Sequence, residues 1–180
     1  MRAFIAVDLP KEIKTKINHF KHQLKAELTL DSPRNAIKFV EDENLHITLR
    51  FFKDINDQQA AKIKEIIKTL SFEPFNVDCE ELGVFPNENY IRVIWIGIKS
   101  NNNLEKVWAE LNSKLKEEFG TDRFSAHLTI ARVKTRLTKS QIEKIFRYKN
   151  QKFGNFVITP KMILLKKSTL TPEGPIYTDL

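Results

Sequence analysis

Two segments of this chain repeat one order of side chains: a histidine, an apolar residue, a threonine and a second apolar residue. They are residues 46–49 (His-Ile-Thr-Leu) and residues 127–130 (His-Leu-Thr-Ile). Successive side chains of an extended strand point to opposite faces, so each histidine would share a face with its threonine. The repeat therefore predicts two strands that each present an imidazole and a hydroxyl on one side.

Two such strands, brought together, could hydrolyse a phosphodiester without a metal. Near neutral pH one imidazole can act as the base that activates water, while the other protonates the leaving oxygen. The hydroxyls of Thr48 and Thr129 could donate to the nonbridging oxygens, where negative charge grows. The residues alone do not decide which of His46 and His127 is the acid. The plainer alternative to a catalytic pair is that both are core histidines with satisfied hydrogen bonds.

The rest of the sequence indicates no metal or cofactor site. It contains no His-Glu-x-x-His pattern, no cluster of cysteines and histidines, and no glycine-rich phosphate loop. His19 and His22 lie among lysines in a predicted helix, and we expect them to be solvated. The sequence therefore predicts a site that uses neither a metal nor a cofactor.

Composition indicates one globular domain over residues 1–180. The chain is 41% hydrophobic and 29% charged, which is ordinary for a folded domain. Its net charge of +7 suits a polyanion such as RNA, although lysine-rich surfaces also serve solubility. Cys79 is the single cysteine, which excludes an internal disulfide. With no signal peptide and no apolar run of membrane-spanning length, we expect a cytoplasmic protein without membrane contact.

Strand and helix patterns alternate along the chain. Apolar residues recur at intervals of three and four in the predicted helices, and runs of apolar residues mark the strands. A cluster of turn residues occupies 31–35. The predicted helices fall near 10–28, 57–70, 104–115 and 142–146, and the predicted strands near 3–7, 37–40, 45–52, 75–84, 91–98, 124–133 and, as one or two strands, 153–165, with a short extended segment at the end.

A polar loop and an amphipathic helix follow each motif strand, which indicates a weak internal duplication. The fold class predicted from this order is α+β. We expect two pseudo-symmetric lobes of mostly antiparallel sheet, with outer helices and a central cleft between them.

The chain resembles the 2H phosphoesterase superfamily and, within it, the RNA 2′,3′-cyclic phosphodiesterases, formerly called 2′-5′ RNA ligases. The resemblance extends over nearly the whole chain. It rests on the two His-x-Thr-x motifs and on further segments in the same order, namely residues 2–7, 43–49, 82–87, 92–95, 127–132 and 168–177.

This resemblance implies a metal-independent hydrolase that opens 2′,3′-cyclic phosphate ends of RNA to 2′-phosphomonoesters. It implies that His46 donates a proton to the departing 3′ oxygen and that His127 accepts one from water. It also implies that Arg132 contacts the phosphate. Simple alternation places Arg132 on the face opposite His127, so that contact requires a strand end or a bulge.

Two other functions stay open at this point. One is reversible 2′-5′ RNA ligation, and the other is a noncatalytic RNA- or nucleotide-binding module. Both histidines and both threonines are retained, which favours an enzyme, because binding alone needs no paired proton donor and acceptor. The expected partner is RNA with cyclic phosphate ends, with tRNA fragments as one candidate, and the expected state is a monomer.

Three more residues are candidates for substrate contact. Arg50 shares strand parity with His46 and Thr48, so alternation predicts that it faces the cleft. Phe85 and Tyr90 lie near a turn and could stack on unpaired bases, as aromatic residues often do in RNA-binding proteins. For both Arg50 and Arg132, the plain alternative is a solvated position on the surface.

Overall fold

The strands and helices of the computed structural model follow the order predicted from the sequence. It describes residues 1–29, 36–172 and 174–180, so the turn predicted at 31–35 lies outside the described residues. The elements are β1 (Ala3–Asp8), α1 (Lys11–Thr29), β2 (Ile37–Phe39), β3 (His46–Phe52), α2 (Asp57–Lys68), β4 (Phe75–Asn87), β5 (Tyr90–Lys99), α3 (Asn103–Phe119), β6 (His127–Val133), α4 (Lys139–Phe146), β7 (Lys152–Ile158), β8 (Ile163–Leu170) and β9 (Pro175–Asp179).

The nine strands of the described residues belong to one sheet, in the order β7-β4-β5-β6-β3-β1-β8-β9, with β2 also paired to β6. The pairings are antiparallel. The two motif strands are neighbours at the middle of the sheet, where Ile47 pairs with Leu128. The α+β architecture is therefore confirmed, with one refinement: the two lobes are halves of a single curled sheet. Pairing β3 with β6 removes the exposed edge that each half would otherwise present.

Helices α1 and α2 pack against opposite halves of the sheet. Helix α1 packs against β7 in the half that contains β6, and α2 packs against β8 in the half that contains β3. The apolar face of α1 is buried as its periodicity predicts, with Ile17, Leu24 and Leu28 inaccessible to solvent. In the part of the chain that the structure describes, no helix is both long and apolar enough to cross a membrane.

The single cysteine, Cys79, is part of the hydrophobic core. Cys79 lies on β4 and is almost fully buried. Burial raises the pKa of its thiol to about 12, so the thiolate that a nucleophile requires does not form near neutral pH. Cys79 is therefore a packing residue.

Candidate active site

The central strand pair places both motifs in one cleft. A cavity of about 420 Å³ is lined by His46, Thr48, His127 and Thr129. The antiparallel register that pairs Ile47 with Leu128 sets His46 beside Thr129 and Thr48 beside His127 on the cleft face. The apolar members of each motif point the other way, and Ile47 and Leu128 are completely buried. The structure thus brings the four motif side chains together.

The imidazole of His46 is fixed by contacts on both nitrogens. Its Nδ1 lies 2.7 Å from the Asn44 carbonyl oxygen. A carbonyl can only accept, so Nδ1 carries the proton and, in the neutral ring, Nε2 carries the lone pair. Nε2 lies 3.1 Å from Thr48 Oγ1, whose hydroxyl donates to it when the ring is neutral. The rings of Phe4 and Tyr177 lie against His46 at centroid distances of 4.7 and 5.3 Å.

This enclosure changes the proton affinity of His46. Burial lowers the pKa of its imidazole to about 4, and the nearby ammonium groups of Lys166 and Lys14 act in the same direction. The hydrogen bond to Asn44 and the charge of Asp8 oppose this shift without cancelling it. At pH 7 the imidazole of His46 is therefore neutral in the free protein.

His127 is held by the same type of contact as His46. Its Nδ1 donates to the Ser125 carbonyl oxygen at 2.7 Å. The ring of Phe85 lies edge-on to it at 5.1 Å, and the ring of Trp95 lies at 6.2 Å. In both motifs the carbonyl two residues before the histidine thus selects the tautomer whose lone pair is on Nε2.

A β-bulge in each motif strand decides which residues beyond the threonine face the cleft. Along β6, Thr129 pairs with Trp95 of β5 and Ala131 pairs with the adjacent Ile94, so Ile130 is skipped. The extra residue reverses the alternation, and Arg132 lines the cavity. The sequence predicts that Arg132 needs a strand end or a bulge to reach the histidine face, and the structure contains the bulge.

The equivalent bulge in β3 makes the prediction for Arg50 wrong. The register with β1 skips Leu49, so Arg50 turns into the interior and is 4% exposed, while Phe51 takes its place in the cleft. Its guanidinium donates to Asn112 Oδ1 and to two backbone oxygens at the end of α3. Alternation from His46 does not hold past Leu49, because the bulge adds one residue.

Phe85 and Tyr90 occupy different surroundings. Phe85 contacts the ring of His127 but does not line the cavity. Tyr90 is 57% exposed at the start of β5, beneath the guanidinium of Arg92, and borders a separate groove with Arg136. Phe85 therefore supports a histidine, whereas Tyr90 lies away from the cavity, and base stacking by either ring stays a prediction.

The comparisons with known proteins agree with this geometry. Residues 7–95 match the family described as LigT like phosphoesterase. An RNA 2′,3′-cyclic phosphodiesterase of Methanocaldococcus jannaschii is 44% identical over 98% of this chain and 96% of that protein. The protein of the same name from Archaeoglobus fulgidus is 37% identical over 100% of this chain and 98% of its own length. The chain belongs to the LigT-like phosphoesterase family.

Solved structures share the fold of this LigT-like phosphoesterase. A protein of Thermus thermophilus aligns with a TM-score of 0.78 at 23% identity, covering 100% of this chain and 95% of that chain. Apo LigT of Escherichia coli aligns with a TM-score of 0.74 at 22% identity, covering 99% and 94%. These likenesses support the predicted α+β fold.

Three cleft residues of this LigT-like phosphoesterase were missed as individual candidates. They are Arg2, Lys38 and Tyr177, which line the cavity together with Arg132. Burial raises the pKa of the Tyr177 phenol, whereas the nearby Arg132 and Arg2 act to lower it, so both cations lie close to this ring. Arg2 and Tyr177 belong to the opening and closing segments of the family resemblance, which was the available signal. Within the described residues, no three histidine, cysteine or acidic side chains are grouped as metal ligands.

Proposed function

We propose that this LigT-like phosphoesterase hydrolyses RNA 2′,3′-cyclic phosphodiester ends to 2′-phosphomonoesters. The observation that carries the proposal is the pair of histidines in one cavity, each with Nδ1 bonded to a carbonyl and each beside a threonine hydroxyl. The relatives named RNA 2′,3′-cyclic phosphodiesterase, which match over nearly the full chain, support the same activity.

The proposed reaction is an attack of water in line with the P–O3′ bond. His127 Nε2 takes a proton from water as the new P–O bond forms. His46 Nε2–H gives a proton to the 3′ oxygen as the P–O3′ bond breaks, which leaves the phosphate on the 2′ oxygen. The Thr48 and Thr129 hydroxyls donate to the nonbridging oxygens as negative charge accumulates on them.

The low proton affinity of His46 sets a condition on this role. In the free protein His46 is neutral at pH 7, so a donor must gain its proton as the substrate binds. A phosphodiester anion beside the ring favours the charged form and raises the pKa of His46. Thr48, which faces His46 Nε2 in the free protein, can then turn its hydroxyl toward the phosphate.

The cations of the cleft fit a polyanionic substrate. Arg2, Lys38 and Arg132 line one cavity and can contact the reacting phosphate and the next phosphate of the strand. The RNA substrate follows from this lining and from the names of the relatives. The tRNA fragments, the monomeric state and the cytoplasmic location that the sequence predicts stay predictions.

An oligonucleotide that ends in a 2′,3′-cyclic phosphate, incubated with the protein in excess chelator, tests the proposal. We expect multiple turnovers and a product that carries a 2′-phosphate, read from its ³¹P spectrum. An oligonucleotide with a 3′-phosphate end serves as the unreactive control. A 3′-phosphate product, or turnover that depends on an added divalent ion, would contradict the proposed chemistry.

The same assay separates the alternatives. Addition of an RNA with a 5′-hydroxyl end tests ligation, which would produce a longer strand with a 2′-5′ linkage. Binding of the cyclic end without turnover, lost in His46 and His127 variants, would instead indicate a noncatalytic RNA-binding module.

A further inference from the structure

Two charged side chains are buried in the described part of the chain, and neither lines the cleft. They are Lys21 of α1, 2% exposed, and Arg50 of β3, 4% exposed. Burying a charge is costly unless its hydrogen bonds are satisfied. The atoms that satisfy these two cations therefore indicate what each cation holds in place.

Lys21 holds the segment that leads into the first motif strand. Its Nζ donates to the Val40 carbonyl oxygen at 2.6 Å and also to the carboxylate of Asp42. Burial raises the pKa of Asp42, but the hydrogen bonds and charges of Lys21 and His22 together outweigh this effect, so the pKa is lowered and the carboxylate stays ionised. Asp42 begins the short 3-10 turn Asp42–Asn44. The Asn44 carbonyl at its end accepts the hydrogen bond from His46 Nδ1.

Arg50 holds the segment that leads into the second motif strand. Its guanidinium donates to the Phe119 and Gly120 carbonyl oxygens at 3.0 and 2.6 Å and to Asn112 Oδ1 at 2.6 Å. The two carbonyls lie at the C-terminal end of α3, where the last carbonyls of a helix lack intrahelical partners and a cation is favourable.

The chain that follows Gly120 reaches the second motif within a few residues. We call the hydrogen bonds of Arg50 to the end of α3 the Arg50 anchor, and those of Lys21 to Val40 and Asp42 the Lys21 anchor. Asn112 Oδ1 also accepts a hydrogen bond from the Asp122 amide at 3.2 Å, so the contacts continue beyond the end of the helix. Five residues after Gly120 comes Ser125, whose carbonyl accepts the hydrogen bond from His127 Nδ1.

We propose that Lys21 and Arg50 are positioning residues, one for each histidine. Each fixes the entry segment whose carbonyl keeps a catalytic imidazole in the Nδ1–H tautomer, with Nε2 directed to the substrate. The effect on turnover rests on the proposed function, whereas the effect on the tautomers does not. A histidine that cannot present Nε2 correctly fails both as base and as donor.

Spectroscopy of the histidine rings tests whether Lys21 positions His46 and Arg50 positions His127. Long-range ¹H–¹⁵N spectra, recorded where both rings are neutral, report the tautomer of His46 and His127 separately. We expect Lys21→Met to introduce the Nε2–H tautomer at His46 but not at His127. We expect Arg50→Met to do the reverse, while Lys25→Met, an exposed lysine of the same helix as Lys21, changes neither ring.

Kinetics provide the second readout. Hydrolysis of a cyclic mononucleotide avoids contacts to a longer strand. We expect kcat to fall roughly 10- to 100-fold in either variant, by analogy with the loss of groups that orient metal-ligating histidines. KM is expected to change much less, because neither side chain lines the cavity.

Milder variants keep the test decisive if a methionine variant fails to fold. Asp42→Asn weakens the Lys21 anchor at a half-exposed side chain, and Asn112→Ala removes one acceptor of Arg50. Each is expected to show the same selective tautomer change with smaller amplitude. Single Nδ1–H tautomers in all folded variants, or equal changes at both rings, would overturn the proposal. Selective changes in a protein that does not hydrolyse cyclic phosphates would refute the proposed function alone.

Discussion

The alanine variants of His46 and His127 are each expected to lose hydrolysis of cyclic phosphate ends. Positioned proton transfer contributes ~10²–10⁴-fold to a reaction, and each ring is assigned one transfer in the same step. RNA affinity should change little, because phosphate contacts from arginines and lysines supply most of it. Steady-state turnover and an independent binding titration on the same RNA measure the two effects separately.

The double variant His46→Ala/His127→Ala should be little worse than either single variant, since residues that act as a unit in one step are strongly non-additive. His19→Ala is the matched control, because His19 is an exposed helical histidine away from the cavity. Additive losses would indicate that the two rings act in separate steps. Full activity in either single variant would exclude that histidine from catalysis.

The threonine variants are expected to show the next largest losses. Thr48→Ala and Thr129→Ala each remove one hydroxyl donor to the phosphate, and such a donor is worth ~2.7–4 kcal/mol in an organised oxyanion site. That corresponds to a kcat lower by roughly 10²–10³-fold. The loss should appear in kcat more than in KM, because the donors meet a charge that grows in the transition state.

Serine at the same positions provides the control for this loss. Thr48→Ser and Thr129→Ser keep the hydroxyl and remove only a methyl group, so most of the activity should return. If the serine variants are as slow as the alanine variants, packing of the methyl group is what matters. The proposed hydrogen bonds to the phosphate would then be wrong.

Local rules predicted much of the site. Alternation placed each histidine beside its threonine. The same rule showed that Arg132 requires a strand end or a bulge to reach that face, and the structure contains a bulge. The failure at Arg50 came from applying alternation without a bulge in the first motif strand. Because the two strands repeat the same motif, the bulge that the Arg132 contact requires was a usable signal for Arg50. The structure gives β3 and β6 the same order of buried and exposed positions.

Contacts between distant segments were beyond the reach of such rules. Tyr177 reaches His46 only because β9 pairs with β8, β8 with β1 and β1 with β3. The roles of Lys21 and Arg50 likewise depend on how α1 and α3 approach the entry segments, and strand or helix periodicity does not specify this. Periodicity identifies the buried face of an element but not its partner.

The pH dependence of kcat in excess chelator tests most directly the central claim, that two histidines act on one phosphate as acid and base. We expect a bell-shaped profile, because one ring must be protonated while the other is neutral. The fall at high pH reflects loss of the proton from His46, the donor. This fall should lie at higher pH in kcat, which reports the complex in which the bound anion raises the pKa of His46, than in kcat/KM, which reports the free protein in which burial lowers that pKa. The residual activity of His46→Gln should lack this fall. A monotonic kcat profile between about pH 5 and 8 in the wild-type protein, the range in which imidazoles normally titrate, would contradict the two-histidine mechanism.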